Sequence, residues 1–212
     1  PASGMVKLDA MENPYRLPEP LREEVGRAVA ALAVNRYPDP EAPELKARLR
    51  ESFAIPADAG LLIGNGSDEI IAILAQTLAR PGAVMLAPEP SFAMYKMNAL
   101  YTRMSYVGVP LERDFQLDAG RFLDAIAIHR PALTFIAYPN NPTGNLLDED
   151  LMLQVCRELA SHALVCVDEA YAEFAGRPSL TARLDELPNL VVLRTLSKAY
   201  ALAGARLGTL IA

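Results

Sequence analysis

Lys198 has the residue type and the surroundings for covalent chemistry. It follows an apolar run, is flanked by Ser197 and precedes small residues that extend to Gly204. A lysine that is desolvated or close to another cation has a lowered pKa, and its free amine can attack a carbonyl group to form a Schiff base. The alternative for any single lysine is a solvated surface side chain, so the reactive role depends on the polar groups that accompany it.

Two groups of residues could hold a phosphate. The segment Gly66-Ser67-Asp68-Glu69 begins a predicted helix, whose first backbone N–H groups and serine hydroxyl would form an anion site. Arg206 directly precedes the last apolar run, and its guanidinium could bind a phosphate bidentately beside the hydroxyls of Thr195 and Ser197. The alternatives are a plain helix N-cap at Ser67 or Asp68 and an ordinary ion pair at Arg206.

Asp168 ends the apolar run that starts at Leu164. A carboxylate buried at a strand end is costly unless it is paired. One suitable partner is a pyridinium nitrogen, which the carboxylate keeps protonated so that the ring acts as an electron sink. Tyr171 lies three residues further on and could hydrogen-bond a ring hydroxyl, or it could be a packed aromatic. A helix N-cap or a metal ligand is the alternative for Asp168, but no second acidic cluster at ligand spacing supports a metal.

Two further segments could contribute to a site. The segment Asn140-Asn141-Pro142-Thr143-Gly144 has turn composition and follows an apolar run, so its asparagine amides could point into a site. Phe92 could stack on a planar ring, although an aromatic in the core is the default interpretation. Each of these motifs is weak by itself, and their common position after apolar runs is the stronger observation.

Short apolar runs alternate with helical stretches from about residue 44 onward, which is typical of an α/β domain around a mostly parallel sheet. In such sheets ligands bind at the carboxyl ends of the strands, where the polar clusters fall. Residues 1–43 are rich in proline and predict an arm, and residues 44–212 predict one large domain. The predicted strands are Leu61–Ile63, Ala83–Ala87, Met104–Val109, Leu133–Ala137, Leu164–Val167, Leu190–Leu193 and Leu207–Ile211, and the predicted helices are Glu19–Val34, Pro43–Phe53, Asp68–Leu78, Ser91–Leu100, Ala119–Ile128 and Asp148–His162.

Composition narrows the class of protein. The 212 residues are 51% hydrophobic and carry a net charge of −6 without a basic run, so neither a nucleic acid nor an anionic membrane is an expected partner. The apolar stretches are too short to span a bilayer. Two cysteines without a CxxC pair fit the cytoplasm. Two histidines are too few for a His-based metal site, and no metal is expected.

Taken together, these motifs resemble the fold type I pyridoxal-phosphate aminotransferases, whose large domain is a three-layer α/β/α structure. The resemblance covers nearly the whole chain and rests on the PNNPTG segment from Pro139, the DEAY segment from Asp168, and Lys198 with Arg206. It implies a Schiff base at Lys198, Asp168 at the pyridine nitrogen, and Tyr171 and Asn141 at the phenolic oxygen. It further implies Phe92 on the ring face, a phosphate site that comprises Gly66, Ser67, Thr195, Ser197 and Arg206, and Asp68 as a further cofactor-binding residue.

Within that superfamily the N-terminal motifs resemble the histidinol-phosphate aminotransferases. They are Leu8 to Tyr15 (LDAMENPY), Asn35 to Asp39 (NRYPD) and Gly64 to Glu69 (GNGSDE). The resemblance implies a cytoplasmic homodimer in which Tyr37 reaches the cofactor phosphate of the partner subunit. It places Glu12, Asn13 and Tyr15 on the substrate side. The implied reaction transfers an amino group from L-histidinol phosphate to 2-oxoglutarate, with imidazole-acetol phosphate and glutamate as products.

Three alternatives share most of these motifs: an aromatic aminotransferase, a phosphothreonine decarboxylase of the same fold, and a non-catalytic ligand-sensing domain of a transcription regulator. The sequence shows no basic helix-turn-helix pattern before residue 44, which disfavours the regulator.

The last residues, Leu207 to Ala212, form an apolar run that ends without a polar segment. We therefore expect the family's second, C-terminal domain, with its substrate-binding arginine, to lie outside this chain.

Overall fold

The computed structural model describes residues 4–5 and 10–212, so Leu8 and Asp9 of the first N-terminal motif lie outside the described residues. Strands and α-helices alternate from residue 61 to residue 168, as predicted, and the last three strands are joined by 3-10 turns. The strands are β1 (Leu61–Asn65), β2 (Val84–Glu89), β3 (Ser105–Pro110), β4 (Leu133–Ala137), β5 (Leu164–Asp168), β6 (Leu190–Thr195) and β7 (Leu207–Ile211). The helices are α1 (Glu19–Ala30), α2 (Pro43–Phe53), α3 (Ser67–Leu78), α4 (Ala93–Tyr101), α5 (Ala119–His129) and α6 (Glu149–Leu159).

The seven strands form one sheet in the order β1-β7-β6-β5-β4-β2-β3. Strands β6, β5, β4, β2 and β3 pair in parallel, whereas β7 pairs antiparallel with both β1 and β6. The prediction of a mostly parallel sheet is confirmed. Because β7 runs in the opposite direction, its first residue lies at the edge where the parallel strands end. Arg206, which precedes β7, is thereby brought to the same edge as Asp168 and Thr195.

Helices cover both faces of the sheet and complete the predicted three-layer α/β/α fold. On one face α3 and α4 pack against alternate strand residues such as Phe135 and Cys166. On the other face α2, α5 and α6 pack against the intervening residues, such as Ile136 and Val167. Successive strand residues point to opposite faces, so strands covered on both sides are apolar throughout. This explains why the strands are continuous apolar runs in the sequence.

The observed element ends differ from the predicted ones by a few residues. The first helix ends at Ala30 rather than Val34, and α6 ends at Leu159 rather than His162. Three strands extend into the polar motifs, so Asn65 is the last residue of β1, Asp168 the last of β5 and Thr195 the last of β6. Backbone pairing continues beyond the last apolar side chain, which hydrophobic patterning does not detect.

None of the helices in the described part of the chain is long and apolar enough to cross a membrane.

Candidate active site

A cleft of about 430 Å³ lies at the edge of the sheet where the parallel strands end. It brings together most of the site residues that the sequence predicts, although these residues are spread over nearly two hundred positions. Its lining comprises Ala10, Met11, Glu12, Ser67, Asp68, Phe92, Tyr95, Ala137, Pro139, Asn141, Asp168, Ala170, Tyr171, Thr195, Ser197, Lys198, Ala203, Gly204 and Arg206.

Asp168 is a buried carboxylate in this cleft, with 6% of the residue exposed. Its Oδ2 accepts a hydrogen bond from the Tyr95 hydroxyl at 2.7 Å, and its Oδ1 accepts one from the Ala170 N–H at 3.0 Å. Burial raises the pKa of Asp168, while these two hydrogen bonds and the charge of Lys198 act in the opposite direction. The carboxylate is therefore held rigidly and is suited to pair with a cationic N–H group.

Tyr95 is a site residue that the sequence analysis missed. It is fully buried on α4, and its ring stacks on Phe135 with a centroid separation of 4.4 Å and an interplanar angle of 4°. Burial and then the charge of Asp168 raise the pKa of Tyr95 well above its ordinary value, so the hydroxyl remains a donor. In the sequence, Tyr95 could be linked to the site only by its helical spacing of three residues from Phe92, and the same spacing equally fits an aromatic residue of the core.

Lys198 and Tyr171 lie side by side in the cleft. The Lys198 Nζ is 5.6 Å from the centroid of the Tyr171 ring and donates a hydrogen bond to the Ala10 carbonyl oxygen at 3.4 Å. The Tyr171 hydroxyl contacts the Met11 sulfur at 3.5 Å. Burial and then the charge of Asp168 raise the pKa of Tyr171. The amine and the phenol thus line the same space, as predicted.

Arg206 lies at the start of α3. Its Nη2 donates to the Asn65 carbonyl oxygen at 3.3 Å and is 3.5 Å from Asp68 Oδ2. Gly66 has a φ of +82°, and a Cβ atom at this position would clash with the Arg206 guanidinium. Glycine therefore allows the arginine to approach the helix N-terminus, where free backbone N–H groups favour an anion.

The predicted alternative of an N-cap at Ser67 or Asp68 is wrong. The N-cap residue is Gly66 and makes no side-chain cap, so both side chains belong to the first turn of α3. Ser67 and Asp68 instead line the cleft. At the end of β6, Thr195 Oγ1 donates a hydrogen bond to Ser197 Oγ at 2.9 Å, which holds two buried hydroxyls together. The hydroxyls of Ser67, Thr195 and Ser197 can supply hydrogen-bond donors at this end of the cleft.

The two neighbouring asparagines have different surroundings. Asn140 is buried, and its side-chain amide hydrogen-bonds within the loop. Its Nδ2 donates to the Pro90 carbonyl oxygen at 3.0 Å and to Thr143 Oγ1 at 2.8 Å. Its Oδ1 accepts from Ser91 Oγ at 2.9 Å. Asn141 lines the cleft instead. The prediction that the asparagine amides face a site therefore fits Asn141, whereas Asn140 holds the loop.

Phe92 lines the cleft and packs edge-to-face against Tyr95, with ring centroids 5.6 Å apart. This position is compatible with both interpretations of Phe92, stacking on a planar ring and packing in the core, because the ring borders the cleft and is also partly packed. An aromatic side chain that borders an open cleft can stack on a planar ligand.

The predicted substrate-side residues lie at the mouth of the cleft. Glu12 lines it, and Asn13 Nδ2 donates to the carbonyl oxygens of Lys198 and Ala199 at 3.3 Å each. Tyr15 borders an adjoining groove and is largely exposed. Tyr37 is fully exposed and does not reach the cleft of its own chain.

The chemistry of these groups fits a phosphorylated aldehyde on a pyridine ring. The Lys198 amine can bind the aldehyde, the rigid Asp168 carboxylate can pair with a protonated ring nitrogen, and the α3 N-terminus with Arg206 can bind the phosphate. A bulkier residue at Gly66 would fill the space that separates this arginine from the helix. The cleft therefore contains a complementary group for each functional part of pyridoxal phosphate.

Comparisons with known proteins agree with this geometry. The family model "Aminotransferase class I and II" matches residues 3–212. A histidinol-phosphate aminotransferase of Chromobacterium violaceum is 55% identical over 207 residues, which cover 98% of this chain and 57% of that protein. The chain therefore spans somewhat more than half the length of this curated relative.

Two solved structures have the same fold. The histidinol-phosphate aminotransferase of Sinorhizobium meliloti, in complex with pyridoxal-5'-phosphate, superposes with a TM-score of 0.85 at 26% identity and covers 96% of this chain and 55% of its own. The enzyme of Clostridium acetobutylicum gives 0.84 at 25% identity, with 95% and 59% covered. The family match over nearly the whole sequence, together with the observed cleft, shows that this chain belongs to the aminotransferase class I and II family.

Proposed function

We propose that this chain binds pyridoxal phosphate and catalyses the transamination of L-histidinol phosphate with 2-oxoglutarate. The observation that carries the proposal is the convergence of Lys198, Asp168 and Arg206 on one cleft. The curated relatives that are about half identical to the chain are named histidinol-phosphate aminotransferases, which supports this amino donor. The expected products are imidazole-acetol phosphate and glutamate, as in histidine biosynthesis.

In this proposal each residue has a separate task. Pyridoxal phosphate supplies an electron sink when it is bound. Asp168, as a carboxylate, keeps a proton on the ring nitrogen. Tyr171 and Asn141 donate hydrogen bonds to the ring oxygen, and Phe92 packs on the ring face. With pyridoxal phosphate bound, the Lys198 amine would hold its aldehyde, and as a free amine it would remove the proton at the donor α-carbon as a general base.

Binding of the phosphate falls to the other end of the cleft. The backbone N–H groups of Ser67 and Asp68 and the guanidinium of Arg206, for which Gly66 leaves room, neutralise the anion, and the Thr195 and Ser197 hydroxyls complete its hydrogen bonds. Glu12, Asn13 and Tyr15 border the open side, where the amino donor enters. Residues 1–43 thereby serve as an arm beside the site, and residues 44–212 as the cofactor-binding domain.

A steady-state assay tests the choice of donor. Glutamate formation from 2-oxoglutarate is measured with L-histidinol phosphate and, separately, with phenylalanine and tyrosine. The proposal expects kcat/KM for L-histidinol phosphate to exceed that for the aromatic amino acids at least about tenfold, which corresponds to about 1.4 kcal/mol. Equal values, or a preference for the aromatic donors, would show that the chain is an aromatic aminotransferase.

We also propose that the protein is a cytoplasmic homodimer. Helix α1 has no buried residue, and its exposed Leu21, Val25 and Val29 recur at a spacing of four residues. Such an apolar stripe on a surface helix needs a partner to cover it. Tyr37 follows this helix with its side chain fully exposed, so it is available to another subunit.

The two cysteines are free and buried, as in proteins of a reducing compartment, which supports the proposed cytoplasmic location.

Tyr37→Phe tests the contribution across the interface. Loss of one hydroxyl that binds the partner's phosphate group should weaken retention of pyridoxal phosphate about tenfold, because a hydrogen bond to a charged group contributes about 1.5–3 kcal/mol. Cofactor release is measured by dialysis and absorbance, with the dimer verified by sedimentation. Tyr101→Phe, at another exposed tyrosine, serves as the control. Unchanged retention in the Tyr37 variant would exclude the role across subunits.

Tyr95→Phe tests the support of Asp168. The variant keeps the stacked ring and removes the hydroxyl that donates to Oδ2, so the pKa of Asp168 rises further. A carboxylate with a higher pKa is charged only at higher pH. We therefore expect the acid limb of the kcat/KM profile to move to higher pH, so that kcat/KM falls most at the acid end of the profile. A profile that coincides with that of the wild type would contradict this role.

A further inference from the structure

Glu69 lies beside the proposed phosphate site but does not line the cleft. Its carboxylate accepts two hydrogen bonds from a single residue, Asn65. The Asn65 backbone N–H donates to Oε2 at 2.6 Å, and the Asn65 side-chain Nδ2 donates to Oε1 at 3.2 Å. These two hydrogen bonds, the backbone one first, lower the pKa of Glu69, so the group stays a carboxylate. Glu69 therefore holds the last residue of β1 with both of its oxygens.

This contact differs from ordinary helix capping. Glu69 is the third residue of α3, and in a capping box a glutamate at this position accepts a hydrogen bond from the N–H of the N-cap residue. The N-cap here is Gly66, whose N–H donates instead to the Gly64 carbonyl oxygen at 2.8 Å. The Glu69 carboxylate reaches one residue further back, to Asn65. It therefore fixes the end of the strand rather than the end of the helix.

Asn65 connects Glu69 to the arginine of the proposed phosphate site. The Asn65 carbonyl oxygen accepts a hydrogen bond from Arg206 Nη2 at 3.3 Å, and the Ala203 carbonyl oxygen accepts one from Arg206 Nη1 at 3.2 Å. The donors of a guanidinium lie in one rigid plane, so the two carbonyl oxygens determine how that plane is oriented. A displacement of Asn65 would therefore turn the remaining Arg206 donors away from a bound phosphate.

The loop between β1 and α3 also packs directly on β7, the strand that follows Arg206. A Cβ atom at Gly208 of β7 would clash with the backbone nitrogen of Ser67 and with the carbonyl carbon of Gly66. Glycine at this position allows the close approach. Strand β7 thus fixes the loop at Gly66 and Ser67, and Glu69 fixes it at Asn65, the residue that contacts Arg206.

We propose that Glu69 is a positioning residue for phosphate binding, which holds the Arg206 guanidinium through Asn65 in the orientation that receives the phosphate of the cofactor. This inference rests on the proposed function, which assigns that phosphate to Arg206 and the α3 N-terminus. A carboxylate close to an anion repels it, so the charge of Glu69 by itself weakens phosphate binding. Loss of the charge alone would therefore tighten phosphate binding, whereas loss of the positioning contact weakens it.

The test compares two aldehydes that differ in the phosphate group. The cofactor-free full chain is titrated with pyridoxal phosphate and, separately, with pyridoxal, and each dissociation constant is obtained from the absorbance of the covalent adduct. Glu69→Ala should raise the dissociation constant of pyridoxal phosphate about fivefold and leave that of pyridoxal unchanged. Glu51→Ala removes another exposed glutamate of a helix, which pairs with Arg48 at 3.1 Å, and should leave both constants at their wild-type values.

A double variant tests whether Glu69 acts through the arginine. Arg206→Met should by itself raise the dissociation constant of pyridoxal phosphate at least about tenfold, because hydrogen bonds to a charged group are lost. Glu69→Ala in the Arg206→Met background should cause no further loss, since the group that Glu69 positions is already absent. A second loss of the same size in the double variant would show that Glu69 acts independently of Arg206 and would overturn the proposal.

The remaining outcomes separate this inference from the proposed function. Unchanged or tighter binding of pyridoxal phosphate by folded Glu69→Ala overturns the positioning role, and so does an equal loss for both aldehydes. If Glu69→Ala does not fold, Glu69→Gln decides by the same comparison, because its single oxygen cannot replace both carboxylate acceptors. A wild-type chain that forms no covalent adduct with either aldehyde overturns the proposed function, and this inference with it.

Discussion

Replacement of Lys198 by alanine is expected to abolish turnover and the absorbance of the covalent adduct. In the proposed mechanism this side chain is both the nucleophile for the aldehyde and the base at the donor α-carbon, and no other lysine lines the cleft. General acid–base catalysis alone contributes about 10²–10⁴-fold. We therefore expect a loss of at least about 10⁴-fold in kcat, with pyridoxal phosphate still bound noncovalently through Arg206 and the α3 N-terminus.

The covalent role is measured independently of turnover. The chain with bound pyridoxal phosphate is reduced with borohydride, and the intact mass is determined. The wild type should gain the mass of the reduced cofactor and the Lys198→Ala variant should not. Lys96→Ala is the control, because Lys96 is a half-exposed lysine that forms a surface ion pair with Glu89 at 3.3 Å. Turnover that survives in Lys198→Ala would contradict the assignment of this lysine.

Replacement of Asp168 by asparagine is expected to give the second-largest loss. Asparagine has nearly the same shape and can still accept the hydrogen bond from Tyr95, so the variant should fold and bind pyridoxal phosphate. It lacks the charge that stabilises a proton on the ring nitrogen in a buried site. An unprotonated ring is a weaker electron sink, so we expect kcat to fall about 10²–10³-fold, which corresponds to about 3–4 kcal/mol.

Two measurements distinguish a loss of charge from a loss of structure. The affinity for pyridoxal phosphate and the unfolding temperature of Asp168→Asn should stay close to wild type while kcat falls. Asp124→Asn, at an exposed position on α5, should leave all three quantities unchanged. A wild-type kcat in Asp168→Asn would mean that this carboxylate does not maintain the protonated ring.

Much of the sheet and of the cleft could be predicted from the sequence because both depend on local patterns. Strands covered on both faces are continuous apolar runs, and the polar residues at their ends meet at one edge. These patterns predict that Asp168, Thr195 and Lys198 lie at this edge. The position of Arg206 at this edge depends on the direction of β7, because only an antiparallel strand begins at the edge where the parallel strands end.

The contacts that the sequence did not reveal are those between distant side chains. Tyr95 looks like a core residue because it is one, and only its hydroxyl at Asp168 makes it part of the site. Asn140 and Asn141 are identical in type and adjacent in a turn, so their different orientations depend on the contacts of the folded loop. The role proposed for Tyr37 requires a second chain, which hydrophobic patterning does not describe.

The half-reaction without an oxo acid tests the central claim most directly. One equivalent of L-histidinol phosphate per site is mixed with the full chain that holds pyridoxal phosphate, and absorbance and product are measured together. We predict stoichiometric loss of the Lys198 adduct with formation of imidazole-acetol phosphate, and full recovery of the absorbance with release of glutamate when 2-oxoglutarate is added. A ligand-sensing domain would change its spectrum without ketone product, and a phosphothreonine decarboxylase would leave this donor unchanged and release carbon dioxide from phosphothreonine. Either result would contradict the account.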